Sequence, residues 1–527
     1  MKYSVKGENW HIHFRRILLI LAICLTFCFV HRVSPAIAMN NLWNTEASEG
    51  LWQYKYLEDG TVEIVGYANE DYEGVLTVPG QLGGKTVTIV SGLNNMPHLT
   101  EVILPDTIRA IGSMAFFQNR SLKKINLPDG IASIGESAFE YCSSLDEVDL
   151  PDALTMIRIE AFSGTALEKI IIPESVILIE DGAFRNCKIH TVTFSGNGEL
   201  RMTGNPFYGN EVESFVVPAD HPWLGTYQGV LFDKNEKKLI CYPIAQEGPA
   251  YEIPNGIRKI GRMAFAYCGL EKIIIPDTLL MIDEYAFYDC DSLKEVIIPD
   301  SVTTIGDFAF YACDGMKYAY IGDGVTTLGD YAFAWCDELE VITIGNGLQK
   351  VGEAALSGNC SLKCFILREG HPFLQLIDGV LFIRDGQRLL VYPAGKTETI
   401  YDVPVGTGTI EAYAFSEAQH LRCITISGTV KTIGDEAFIG MDQLEEIQLE
   451  EGIEVLGDIL FWENETLKVL TIPGSVRVIH PFGLDYNSSV IVRTFRDTVG
   501  EDQAKIDGLK IEYLSEEEPA MPAWLDQ

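Results

Sequence analysis

Along this chain, branched apolar residues recur in short alternating pairs instead of at helical spacing, and the pairs return at a fixed interval. From Leu293 the text reads Leu-Lys-Glu-Val-Ile-Ile-Pro-Asp-Ser-Val-Thr-Thr-Ile-Gly-Asp-Phe-Ala-Phe-Tyr-Ala-Cys-Asp. Its heads fall at Leu99, Leu122, Leu145, Leu167, Leu270, Leu293, Met316, Leu339, Leu362, Leu421, Leu444 and Leu467, with neighbours inside a block 22 or 23 residues apart. A period in the twenties is the mark of a stacked array, not of three or four separate globules.

Alternation by two sends Val296 and Ile298 to one face of a strand. Pro299 cannot donate to a ladder and closes that strand, and Asp300-Ser301 makes the corner. Val302 and Ile305 then point inward, Gly306 lets the backbone turn, and a short helical turn carries Ala309 and Phe310. Such a coil offers about seven inward side chains worth roughly 1.5–3 kcal/mol each, against roughly 1–2 kcal/mol for every backbone residue fixed. A single coil therefore cannot fold alone, and stacking is required.

The interruptions divide the chain. Residues 51–98 read as a β cap, because Trp52–Tyr56 and Thr61–Val65 flank a Glu-Asp-Gly turn. Repeat blocks follow at 99–218, 251–368 and 399–480. Between them lie 219–250 and 369–398, which share the text His-Pro-aromatic-Leu, Gly-Val-Leu-Phe and a closing Tyr-Pro, and which predict β-hairpins inserted between coils. Residues 481–513 are expected to form a C-terminal cap, and 514–527 a disordered tail. At the other end, Lys2, Lys6, Arg15 and Arg16 precede the apolar run Ile17 to Val30, with Ala36-Ile37-Ala38 after it. That is the layout of a secretory signal peptide over 1–38, cleaved at Ala36 and Ala38's small-x-small site, with 39–50 as a linker.

Removing residues 1–38 leaves 34 basic against 74 acidic side chains, a net charge of −40. Such a surface repels phosphate backbones, so nucleic acid is excluded as a partner. Ten cysteines remain. Six of them, Cys142, Cys187, Cys268, Cys290, Cys313 and Cys336, hold one register position, three residues after the repeat Phe. Elsewhere that position is Asn119, Thr165, Asn359, Ala418, Met441 or Asn464, so it reads as a small buried packing site with free thiols.

The combination I-P-D/E-G/S-V-x-x-I-G-x-x-A-F-x-x-C, as in Ile275-Pro276-Asp277 through Ala286-Phe287-Tyr288-Asp289-Cys290, closely resembles the BspA-like, or type-5, leucine-rich repeats over roughly 51–513. Period and resemblance together predict an α/β solenoid: a right-handed leucine-rich repeat spiral dominated by short parallel strands, with hairpin insertions and β caps. The resemblance implies an exported bacterial or protist surface protein, some relatives being adhesins for host or microbial surfaces, and it carries over no catalytic residues. Secretion or cell-surface localisation and a monomer are the expectations.

No H-E-x-x-H, G-x-S-x-G, complete phosphate loop, calcium-loop spacing or C-x-x-C is present, so neither catalytic residues, cofactor nor metal is assigned. His221 and His371 each recur once per long period and are read as structural. Recognition then falls to the strand residues that point outward, on the sheet expected to be concave. Ile171, Ile274, Ile297, Tyr320, Thr343 and Ile366 hold one outward position, and Tyr318 and Val341 its neighbour. Apolar where water is expected, they form the candidate partner surface for a protein or glycan. Strand preference alone also selects β-branched and aromatic residues. A passive envelope scaffold and an enzyme with a cryptic carboxylate site remain the alternatives.

Overall fold

A parallel ladder needs a neighbour on both sides of every strand, and the repeat supplies it one coil at a time. In the computed structural model, which describes residues 46–246, 248–384, 387–480, 484 and 489–515, the unit beginning at Leu293 gives one strand at Glu295–Ile298 and another at Thr304–Ile305. Each pairs in parallel with its counterpart one coil on, Glu295 opposite Tyr318 and Thr304 opposite Thr327. The first strands build a six-stranded sheet from Ala250–Glu252 to Cys364–Leu367, flanked in sequence by a three-stranded sheet ending at Ser214–Val216 and a six-stranded one beginning at Ile400–Val403. The expected signal peptide over 1–38, the expected tail from 516 on, residues 481–483 and 485–488 of the expected C-terminal cap, and the Asp385-Gly386 turn lie outside the described residues.

The interior is the predicted one. Leu293, Val296, Ile298, Val302, Ile305, Ala309, Phe310 and Cys313 are all buried. The repeat phenylalanines stack face to face down the axis: the Phe287, Phe310 and Phe333 rings stand 4.8 and 4.7 Å apart, and Phe116, Phe139, Phe162 and Phe184 continue the pattern in the first block at 5.2, 5.1 and 5.3 Å. Each ring pair adds about 0.5–1.5 kcal/mol to the area it buries.

Two expectations need correction. The turn carrying Ala309 and Phe310 is not helical, and the architecture is a β-solenoid; the Val499–Ile506 segment is the one α-helix among the described residues. Phe308 and Ala312 have φ of 55°, and their counterparts Tyr285, Asp289, Tyr331 and Trp335 are equally left-handed. This geometry turns every second N–H out of the coil: Phe308, Phe310 and Ala312 donate to the carbonyls of Asp330, Ala332 and Ala334 one coil on, at 2.8, 2.8 and 3.1 Å. A third inter-coil ladder thus replaces the bonds a helix would have made within itself. Gly306, for its part, is not needed for a turn. A Cβ there would stand 2.5 Å from the Glu284 nitrogen, so glycine permits the close approach of neighbouring coils.

The position three residues after Phe is the buried packing site expected, and where Cys or Asn stands there it also donates a hydrogen bond. The Cys290, Cys313 and Cys336 thiols donate to the carbonyls of Phe265, Phe287 and Phe310 in the preceding coil, at 3.0, 3.2 and 3.1 Å. Where asparagine stands there, its amide does the same: Asn359 donates to the Phe333 carbonyl at 2.9 Å, and Asn464 to that of Phe438 at 2.7 Å. Burial pushes the Cys142 thiol up to about 12 and that of Cys187 up to about 11, so these groups stay protonated and donate.

The two interrupting segments each form a three-stranded antiparallel meander. In the first, Leu224–Tyr227, Val230–Asp233 and Lys238–Cys241 pair in turn. Its last strand then pairs in parallel with Lys259–Ile260, so it serves as the second strand of a coil. Tyr242 takes the place of the stacked Phe, 5.3 Å from Phe265. The second meander ends the same way, with Tyr392 5.4 Å from Phe415. His221 and His371 pin the meander starts: each Nδ1 accepts from two backbone N–H groups, and the His371 Nε2 lies 3.0 Å from the Gly345 carbonyl.

Candidate functional site

Register decides which outward side chains meet. In the six-stranded sheet Glu252 lies opposite Ile274, Ile297 opposite Tyr320, Tyr320 opposite Thr343 and Thr343 opposite Ile366. Lys272 opposite Glu295 sets Ile274 beside Ile297 in the same register. A second row runs beside the first, Tyr318 opposite Val341 and Val341 opposite Cys364. Seven of the eight candidate residues are therefore neighbours on one sheet face. Ile274, Ile297, Tyr318 and Ile366 are 45, 58, 51 and 49 % exposed, while Tyr320, Val341 and Thr343 are half-buried by their neighbours.

Ile171 does not join them. It is 57 % exposed but belongs to the separate three-stranded sheet, opposite Thr193, because the first meander breaks the ladder between the two.

The apolar rows are bordered by charge. A groove of about 690 Å3 crosses the near end of the face, with Ile274, Ile297 and Tyr320 as its floor, Lys272 and Glu295 on one wall and Asp300 on the other. Lys272 and Glu295 bridge at 3.2 Å, and Lys363 and Glu340 at 2.7 Å further along. The Lys363 ammonium, hydrogen-bonded to Glu340, holds that carboxyl below its ordinary value. Asp300 is also structural, since its Oδ1 accepts from the Asp323 N–H of the next coil at 2.7 Å. Sequence reasoning singled out the floor and missed the walls, because which charges face each other depends on inter-coil register.

This arrangement offers an apolar strip with hydrogen-bonding edges, suited to binding. Among the described residues no group of three or more His, Cys, Asp or Glu is placed to hold a metal ion, and no helix is long and apolar enough to cross a membrane.

Comparison with known proteins agrees with the repeat. The family model described as BspA type leucine-rich repeat region matches in six copies, over residues 91–213, 258–375 and 399–500. Among solved structures, a leucine-rich repeat protein from Eubacterium ventriosum aligns over 75 % of this chain and 93 % of its own, at 19 % identity and a TM-score of 0.52. A leucine-rich repeat protein from Bacteroides ovatus, at 23 % identity, covers 89 % of this chain and all of its own with a TM-score of 0.36. The pneumococcal vaccine antigen PcpA, at 16 % identity, covers 90 and 99 % with a TM-score of 0.40. No curated protein matches the chain.

Proposed function

Because the chain belongs to the BspA-type leucine-rich repeat family, we propose that it is an exported, non-catalytic binding protein that recognises a protein or glycan of host or microbial surfaces, as an adhesin does. The docking surface in this reading is the outward face of the six-stranded sheet between residues 250 and 367. The observation that carries it is the continuity of the Ile274, Ile297, Tyr320, Thr343 and Ile366 row, which leaves three isoleucines exposed to water along one sheet face. The charged border supplies orientation, and the apolar floor supplies affinity. The N-terminal signal-like segment, together with surface association in many relatives, supports an extracellular location.

A passive envelope scaffold is favoured by one observation: Ile103, Ile171 and Val216 are also exposed, outside the proposed surface. The two readings separate in one experiment. Ile297→Asp with Tyr320→Asp changes one exposed and one half-buried outward position, so hydrogen-exchange protection of the buried core should be unchanged while capture of matrix proteins or surface glycans by the immobilised protein is lost. Capture that persists in the double variant, against the same panel, removes the proposed surface.

A further inference from the structure

The text repeats at a long interval, so the chain contains two junctions built to one plan, each where a repeat block meets a meander. They differ in what fills them. At the first, the Asn205 amide donates to the Met263 carbonyl at 2.8 Å. Arg262 pairs with Asp181 at 2.8 Å and with Glu284 at 2.6 Å, its guanidinium 4.7 Å over the Tyr285 ring. The Lys238 ammonium reaches the Met202 carbonyl at 3.4 Å, at the open end of the second-strand ladder.

At the second junction four of the side chains are shortened, while Lys238 is matched by Arg388 and Met263 by Tyr413. The counterparts of Asn205, Phe207, Tyr208 and Arg262 are Ala354, Leu356, Ser357 and Ala412. A cavity of about 460 Å3 opens there, lined by all four of these replacements. This volume lies in the range of about 300–1,000 Å3 typical of small-molecule sites.

The cavity wall is polar as well as apolar. The Ser357 hydroxyl has no hydrogen-bond partner, but it is 1 % exposed and lies beneath the surface of the lining, out of reach of a ligand. The eight-stranded second-strand sheet also ends at the cavity, at Lys350–Val351, so a strand edge forms part of its wall. The cavity wall carries Lys350 and Arg388 against Glu353 and Glu411, two charges of each sign. Arg388 donates to Glu411 at 2.6 Å, and Glu353 accepts from the Tyr331 hydroxyl at 3.3 Å, with burial raising the Glu353 carboxyl above its ordinary value. A ligand carrying net charge would have to break that balance. A neutral molecule with several hydroxyls can donate to the carboxyl oxygens and accept from Lys350 and Arg388 at once, while its apolar face lies on Leu390 and Phe373.

We propose that the cavity between the second repeat block and the second meander is a binding site for a neutral sugar of one or two hexose rings. It is distinct from the outward sheet face, and neither reading depends on the other.

The test titrates the exported full chain with glucose, galactose, N-acetylglucosamine, lactose, maltose and chitobiose, followed by saturation-transfer NMR. The dipeptide Gly-Leu serves as a zwitterionic control of similar size. At least one sugar should bind with a dissociation constant of about 1 mM or tighter. Ser357→Tyr with Ala412→Arg, which restores the side chains of the first junction, should weaken it by at least about tenfold. Ile297→Asp with Tyr320→Asp should leave sugar binding unchanged, so failure here is distinguishable from failure of the proposed docking face. Should the plugged double variant fail to fold, Ala412→Leu alone fills the same space without adding charge. The proposal is overturned if no sugar saturates by about 10 mM, if a folded plugged variant binds as the parent does, or if Gly-Leu binds more tightly than every sugar.

Discussion

Replacing Asn359 with alanine should open one coil of the solenoid while leaving the rest in place. The side chain is 1 % exposed and makes three hydrogen bonds: Nδ2 to the Phe333 and Leu356 carbonyls at 2.9 and 2.8 Å, and Oδ1 from the Cys336 N–H at 2.8 Å. Alanine leaves all three backbone groups dry. Each costs about 1–3 kcal/mol when stranded, so partial relaxation leaves a loss of about 3–6 kcal/mol. Cysteine, the commoner residue at this register, keeps the bond to the preceding Phe carbonyl, as Cys313 does at 3.2 Å, and should recover about 1–3 kcal/mol. Because a repeat array does not unfold as one two-state unit, a single melting temperature would blur the effect. Hydrogen exchange read by mass spectrometry on peptides spanning 331–365 resolves it. A local loss of 3 kcal/mol corresponds to roughly a hundredfold faster exchange there, with peptides near Phe139 unchanged. Protection within about threefold of the parent, or an Asn359→Cys variant as frayed as Asn359→Ala, would refute the donor role.

Glu417 gives a pH dependence. Burial first, and then the neighbouring Glu463, Asp337 and Asp442, raise its carboxyl to about 8. A folded-state value above the unfolded one means the penalty is absent below about pH 4.5 and grows as pH rises towards 8. Glu417→Gln should therefore raise local stability by about 1–3 kcal/mol at pH 8 and change nothing at pH 4, as read by hydrogen exchange of the peptides around it relative to the parent; an equal gain at both would contradict the assignment. All ten described cysteines are unbridged, seven of them buried. The native protein should thus leave the buried seven unlabelled by a thiol reagent, and the denatured, unreduced protein should take up close to ten equivalents; about four or fewer on denaturation would show bridges. At the C-terminal end, Thr498→Ala removes the N-cap of Val499–Ile506, whose hydroxyl accepts from the Glu501 N–H. It should cost about 1 kcal/mol of local stability, visible as faster exchange confined to 498–513.

That helix was legible and passed over, since Thr498-x-x-Glu501 is a capping signature just after a strand. The outward face was legible as well, because alternation along a strand depends on nothing beyond the strand itself. Its extent was not. Ile171 carries the same pattern as Ile297, yet the meander between them places it on another sheet.

The sequence by itself determined the coil: its period, its two inward strands, its stacked phenylalanines and its need for neighbours. These follow from spacing and from the free energy of burying a repeated apolar set. What the tertiary structure decided are the relations between coils separated by 22 to 26 residues: the ladder at Phe308 to Ala312, the donor role shared by Cys313 and Asn359, the closeness that demands glycine at 306, and the unfilled second junction. A hydrogen bond from one coil to the next leaves only a blurred periodic mark, because Cys and Asn both satisfy it and Ala418 and Met441 occupy the same position without it.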